Sequence, residues 1–167
     1  MAFPRSPAPS EASAWLPWGE ERALLDRACA LQRAAQSGRT QPLLRGKNLG
    51  LLCADDTQPA ALMFRQAASE LGAHVAHIGM SLSERSPAQD LVHTARLLGR
   101  LYDAVECQGL AGTLVLQIAD LSGIPVYDGA ATNTAELTRL ALLLGPASAL
   151  ADNRRFALQA LLLHTIV

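Results

Sequence analysis

Apolar and polar positions fall into blocks whose period switches repeatedly along the chain. Residues 20–36 (EERALLDRACALQRAAQ) put Leu24, Leu25, Ala28 and Leu31 on one face, with acids near the start. That spacing predicts an amphipathic helix, ended by Ser37-Gly38. Leu49–Cys53 is a continuous apolar run of strand length. Pro59–Leu71 returns to helical spacing, with Pro in its first turn and Gly72 closing it. Strands are then expected at Val75–Ile78, Ala104–Cys107 and Ile124–Tyr127, and helices at Pro87–Leu101, 110–121, Asn133–Leu144 and Asp152–Ile166. The last helix has Asp152 or Asn153 as its expected cap. Short apolar strands alternating with helices predict a three-layer α/β domain. Its parallel sheet of about four strands is covered by helices on both faces. Ligands of such sheets bind at the carboxyl ends of strands, here loops 54–58, 79–86, 107–110 and 128–133. No internal repeat is visible.

Composition narrows the function classes. At 167 residues the chain is one domain by length. Residues 1–19 are rich in Pro, Ser and Ala and are expected as a disordered or extended tail, with Trp15 and Trp18 anchoring its end. Residues 20–167 form the single domain. A net charge of −1 leaves no electrostatic footprint for nucleic acid or an anionic membrane, and 4% aromatics argue against base-stacking platforms. The tail has no apolar core of the kind a secretory leader needs, and no run reaches membrane-span length. Cys29, Cys53 and Cys107 are odd in number and far apart, which predicts no disulfide framework, no zinc site and a cytoplasmic home. His74 and His77 lie three apart on a strand and face opposite ways, so they make no two-histidine metal site. No metal and no cofactor is expected.

The turn between the first strand and the second helix is the most telling segment. A strand feeding a helix N-terminus is where α/β proteins hold phosphate, on free backbone N–H groups and the helix dipole. A working site also wants Arg, Lys or glycines. This turn reads Asp55, Asp56, Thr57, Gln58, Pro59, Ala60, Ala61: two acids, no base and no glycine. Asp55 and Asp56 read as a solvated turn and Thr57 as a helix N-cap.

Several strings resemble a known family. PLLRGKNLGLL (42–52), FRQAASELGAHVAHIG (64–79), HTARLLGRLYDAV (93–105) and SGIPVYDG (122–129) resemble, in this order, the carbamoyl-phosphate domain of the aspartate and ornithine carbamoyltransferases. After Leu144 the chain does not enter the family's second, amino-acid-binding domain. It passes to DNRRFALQALLLHTI (152–166), which resembles the family's C-terminal helix, the one that packs back on the first domain. A helix this apolar must be buried, in agreement.

The resemblance implies a set of site positions, and these are degenerate. The family's Ser-Thr-Arg-Thr-Arg phosphate motif falls on Thr57, Gln58, Pro59, Ala60 and Ala61. The arginine after the third strand falls on Gln108, and the His-Pro-x-Gln motif on Asn133, Thr134, Ala135 and Glu136. An attractive charge at about 5 Å, with an effective ε of about 20, is worth roughly 3 kcal/mol. Losing several arginines beside two acids removes phosphate binding and electrophilic assistance together. Thr57, Gln58, Gln108, Asn133 and Glu136 are therefore degenerate ligand-site positions, and no catalytic residue is expected. Family trimers also share active sites between subunits, which makes Ser83 and Arg85, in the loop after the second strand, candidates for a contribution in trans to a catalytic partner. A solvated loop is the plainer reading of both. Arg96 is read as a structural ion-pair or hydrogen-bond residue, His93 as a local cap or packing residue, and His164 as structural.

The reading is a non-catalytic, carbamoyltransferase-like oligomerising or partner-binding domain, as a homo-trimer or a mixed oligomer with a catalytic carbamoyltransferase. The alternatives are a small-molecule binding module in the strand-end crevice and a divergent ornithine or aspartate carbamoyltransferase.

Overall fold

The computed structural model describes residues 20–79, 82–132 and 134–167. The expectations for the tail, Trp15, Trp18 and Asn133 lie outside the described residues. The elements run α1 (Glu21–Gln36), β1 (Asn48–Leu52), α2 (Pro59–Glu70), β2 (His74–Ile78), α3 (Ala88–Leu101), β3 (Ala104–Cys107), α4 (Gly112–Ser122), β4 (Val126–Asp128), α5 (Ala135–Leu143) and α6 (Leu150–Ile166). All strand pairs are parallel, in the order β2-β1-β3-β4. The register places Leu52 beside Ile78 and Cys107, and Cys107 beside Asp128. The carboxyl ends of all four strands therefore lie on one edge of the sheet.

Strand alternation sends side chains to two cores. Leu49, Leu51, Ala104 and Tyr127 face α1, α2, α5 and α6, where they meet Phe64, Leu137, Leu158 and Leu162. Leu52, Val105, Cys107 and Val126 face α3 and α4, against Leu98, Val115 and Ile118. The α6 sequence is apolar on nearly every side, and α6 lies among α1, α2 and α5. Tyr127 of β4 reaches the hydroxyl of Thr165 in the last turn of α6 and ties that helix to the sheet.

Three local expectations change. First, α6 begins at Leu150 with Ala149 in the cap position and no side-chain cap, not at Asp152 or Asn153. Those side chains have other partners. Asp152 pairs with Arg155, while Asn153 donates to the carbonyls of Ala141 (3.1 Å) and Gly145 (2.9 Å) and accepts from Gln32 (3.1 Å). Asn153 thus closes the end of α5 and joins α5, α6 and α1. Second, β4 begins at Val126, because Pro125 has no N–H to give a ladder, although its carbonyl accepts from Val105 N–H at 3.0 Å. Third, cover over the sheet is incomplete: His74, Ala76 and His77 of the edge strand β2 are exposed. The helix that could cover them, α3, is drawn against α4. A Cβ on Gly99 would sit 2.2 Å from the carbonyl oxygen of Ser122, so the two backbones touch there.

Candidate functional site

The strand order reverses between β1 and β3. β1 connects to β2 on one side, and the chain then crosses to β3 on the other. The crevice at the carboxyl ends of β1 and β3 is where open α/β sheets place ligands. The turn after β1, Gln108 after β3 and the loop after β4 border it.

The turn after β1 is closed on itself. The Asp55 carboxylate accepts from the Thr57 N–H (2.9 Å), the Thr57 hydroxyl (2.6 Å) and the Gln58 amide (2.8 Å). The hydrogen bonds from the Thr57 hydroxyl and Gln58 hold the Asp55 carboxyl down to about 2. Thr57 is thus not the N-cap of α2; Gln58 takes that position without a side-chain cap, because the Thr57 hydroxyl is spent on Asp55. Asp56 is not merely solvated either. Its carboxylate lies 2.8 Å from Arg65 Nη2 and 3.7 Å from His77 Nδ1. The other ring nitrogen of His77 is 2.9 Å from the Cys53 carbonyl. Arg65 reaches back because helical side chains lean toward the N-terminus. The guanidinium nearest this turn is therefore already bound to a carboxylate.

Gln108 is 9% exposed, and its side-chain nitrogen has no hydrogen-bond partner among the described residues. It follows Cys107 on the strand beside β1, and its N–H donates to the Leu52 carbonyl at 2.9 Å. Glu106, two residues earlier on the α2–α6 side, is fully buried. Its carboxyl oxygens accept from the N–H groups of Ala130 and Ala131, each at 2.9 Å, and so hold the loop after β4. Burial pushes the Glu106 carboxyl up to about 8, against the pull of those N–H groups. Sequence reasoning missed both Glu106 and the Asp56–Arg65–His77 cluster. The signal for Glu106 was present: it is the one acid in an otherwise apolar strand, AVEC.

Glu136 lies in the first turn of α5, whose Thr134 hydroxyl accepts from Leu137 N–H at 3.3 Å. Ser83 and Arg85 lie after β2, where Ser83 Oγ accepts from the Arg85 N–H at 3.3 Å. Ser83 lines a polar cavity of about 300 Å³ shared with Ser86, Thr113 and Gln117 on the α3–α4 side. Thr57 and Gln58 thus follow β1 and Gln108 follows β3, at the carboxyl edge of the sheet, Glu136 opens α5, and Ser83 lines the second cavity, whose lining does not include Arg85.

Nucleophilic chemistry finds no support. Burial raises the Cys107 thiol to about 12, with Glu106 and Asp128 adding to it, and burial followed by Asp56 raises that of Cys53. A thiol in such a setting is inert. Among the described residues no cluster of three His, Cys, Asp or Glu side chains could hold a metal ion. Arg96 is exposed and forms no ion pair among the described residues, contrary to its expected structural role, whereas His164 pairs with Glu20 at 2.5 Å. No described helix is long and apolar enough to cross a membrane.

Comparison with known proteins places this geometry. Residues 16–141 match the family model described as aspartate/ornithine carbamoyltransferase, carbamoyl-P binding domain. The ornithine carbamoyltransferase of Cutibacterium acnes is 36% identical over 110 residues, 66% of this chain and 33% of that protein. The chain therefore spans a third of the length of that curated relative. Among solved structures, ornithine carbamoyltransferase from Pyrococcus furiosus aligns with a TM-score of 0.59 at 23% identity, covering 66% of this chain and 36% of that one. The mitochondrial ornithine carbamoyltransferase from Coccidioides immitis aligns at 0.62 and 17% identity, covering 89% and 48%. These structural likenesses carry the fold.

Proposed function

The chain belongs to the aspartate/ornithine carbamoyltransferase family through its carbamoyl-phosphate-binding domain, and on that premise we propose that it is a non-catalytic member acting by association, as a homo-trimer or as a subunit beside a catalytic carbamoyltransferase in the cytoplasm. The observation that carries this reading is the turn after β1. Its two carboxylates engage the Thr57 and Gln58 donors and the nearby Arg65. A phosphate dianion entering there would meet two like charges and an arginine already paired with Asp56. Ser83 and Arg85 are the residues that a trans contribution would use.

Two experiments test it. Calorimetry with carbamoyl phosphate up to millimolar concentration is expected to give no saturable heat; a binding isotherm would defeat the non-catalytic reading. Native mass spectrometry of the protein from its own cells is expected to show a trimer or a mixed complex, and a monomer would sink association. In a mixed complex, Arg85→Ala is expected to lower the partner's carbamoyltransferase activity; unchanged activity removes the trans role.

A second reading, a small-molecule module at the crevice, is favoured by one feature: the buried amide nitrogen of Gln108 without a partner. It asks for a neutral hydrogen-bond acceptor. Thermal stabilisation across a panel of uncharged metabolites checks it, since a ligand at about 100 times its dissociation constant adds roughly 2.7 kcal/mol. A flat panel removes it.

A further inference from the structure

At the opposite edge of the sheet, beside the amino ends of the strands, lies a cavity of about 250 Å³. It is formed where the end of α1, residues 39–43, the end of α2 and α6 meet. Its walls are mostly apolar, with Leu31 and Ala34 of α1, Leu71, and Phe156 of α6, and Thr40, Gln41 and Gln159 add polar groups. Helices α1, α2 and α6 supply part of its wall, and the exposed residues Arg39, Thr40, Gln41 and Leu43 form its rim.

Two ionised side chains line it, and they are not equivalent. The Glu70 carboxylate is fully engaged, accepting from Arg155 (2.9 Å), Gln159 (2.9 Å) and Gln66 (3.0 Å). Arg39 has no carboxylate within ion-pair distance among the described residues. Arg155 is shared between Glu70 and Asp152, and the cavity therefore offers an apolar body with one positive charge, that of Arg39, engaged in no ion pair among the described residues. At protein packing density such a space takes about ten non-hydrogen atoms. A dianion would want several donors and a wetter wall.

We propose that this cavity binds a small amphipathic monocarboxylate, its apolar body against Leu31, Leu71 and Phe156 and its carboxylate paired with Arg39. The site is separate from the strand-end crevice and does not depend on how that crevice is used.

The test is an amide NMR titration of the intact chain with octanoate, and in parallel with octan-1-ol, which keeps the chain length and removes the charge. Octanoate is expected to shift the amides of residues 30–43 saturably, with octanol at least about tenfold weaker, the loss of one charge-assisted contact. Arg39→Ala, on an exposed side chain that leaves the fold intact, is expected to weaken octanoate by about tenfold and to leave octanol unchanged. Ala34→Leu, which fills the cavity, should weaken both. No saturable shift by millimolar octanoate overturns the proposal. So do shifts centred elsewhere, equal affinity for the two ligands, or an Arg39→Ala effect shared by octanol.

Discussion

Glu106 is the residue on which the crevice depends. A carboxyl group buried between two cores is costly unless paired, and here two consecutive residues of one loop, Ala130 and Ala131, donate N–H groups to it. Its folded-state pKa, about 8, lies above its ordinary value of 4.5. The folded state then holds a proton that the unfolded state releases. The stability that this proton confers is complete below about pH 4.5 and is lost as pH rises through about 8, with a slope of up to roughly 1.4 kcal/mol per pH unit. Melting curves between pH 5 and 8 are expected to fall for the natural chain and to be flatter for Glu106→Gln. Equal slopes would show that Glu106 does not carry the proton. At pH 5 the glutamine variant should itself be destabilised by about 1–3 kcal/mol, because its amide offers one acceptor oxygen where two N–H groups need one each.

At the scale of elements, two contacts decide how the helices sit. Asn153 satisfies two carbonyls at the end of α5 and one amide of α1 from within α6. Asn153→Ala strands the two carbonyls and leaves the Gln32 amide only the Ser148 hydroxyl oxygen, at 3.3 Å, for an expected cost of about 2–4 kcal/mol in urea unfolding. Asn153→Asp should rescue little, since a carboxylate cannot donate to carbonyls. Gly99 is the other contact: its neighbour is the backbone of Ser122, which cannot rotate away. Gly99→Ala is expected to cost at least about 1–3 kcal/mol by forcing α3 off α4. A neutral result would mean that the α3–α4 contact does not set the position of α3.

For the whole molecule, α6 is the keystone of one of the two cores. It supplies Ala157, Leu158, Leu161 and Leu162 to the layer that also holds Phe64 and Tyr127. A chain cut before Leu150 is expected to lose cooperative unfolding and to bind hydrophobic dyes, because half the sheet would face water. A sharp thermal transition in the truncated chain would place α6 outside the core. Between Leu142 and Ala151 no residue is charged and only Leu144 is buried, so the exposed surface where the chain turns from α5 to α6, with Leu142, Leu143 and Leu150, is largely apolar.

The elements of this fold were legible in the sequence because burial imposes periodicity. Leu49–Cys53 and Ala104–Cys107 could only be interior strands, and a helix as apolar as 152–166 could only be central. That the turn 54–61 holds no Arg or Lys was equally plain. Polar partnerships were not legible, because they join residues distant in sequence or side chains with several choices nearby. Thr57 turned to Asp55 instead of capping α2, Asn153 served α5 and α1 instead of its own helix, and Arg65 and His77 converged on Asp56. The exposed face of β2 and the cavity beside Arg39 also followed only from how the helices packed. Apolar burial is set by local pattern, whereas the choice of hydrogen-bond partner and the gaps between helices depend on where the packed elements come to rest.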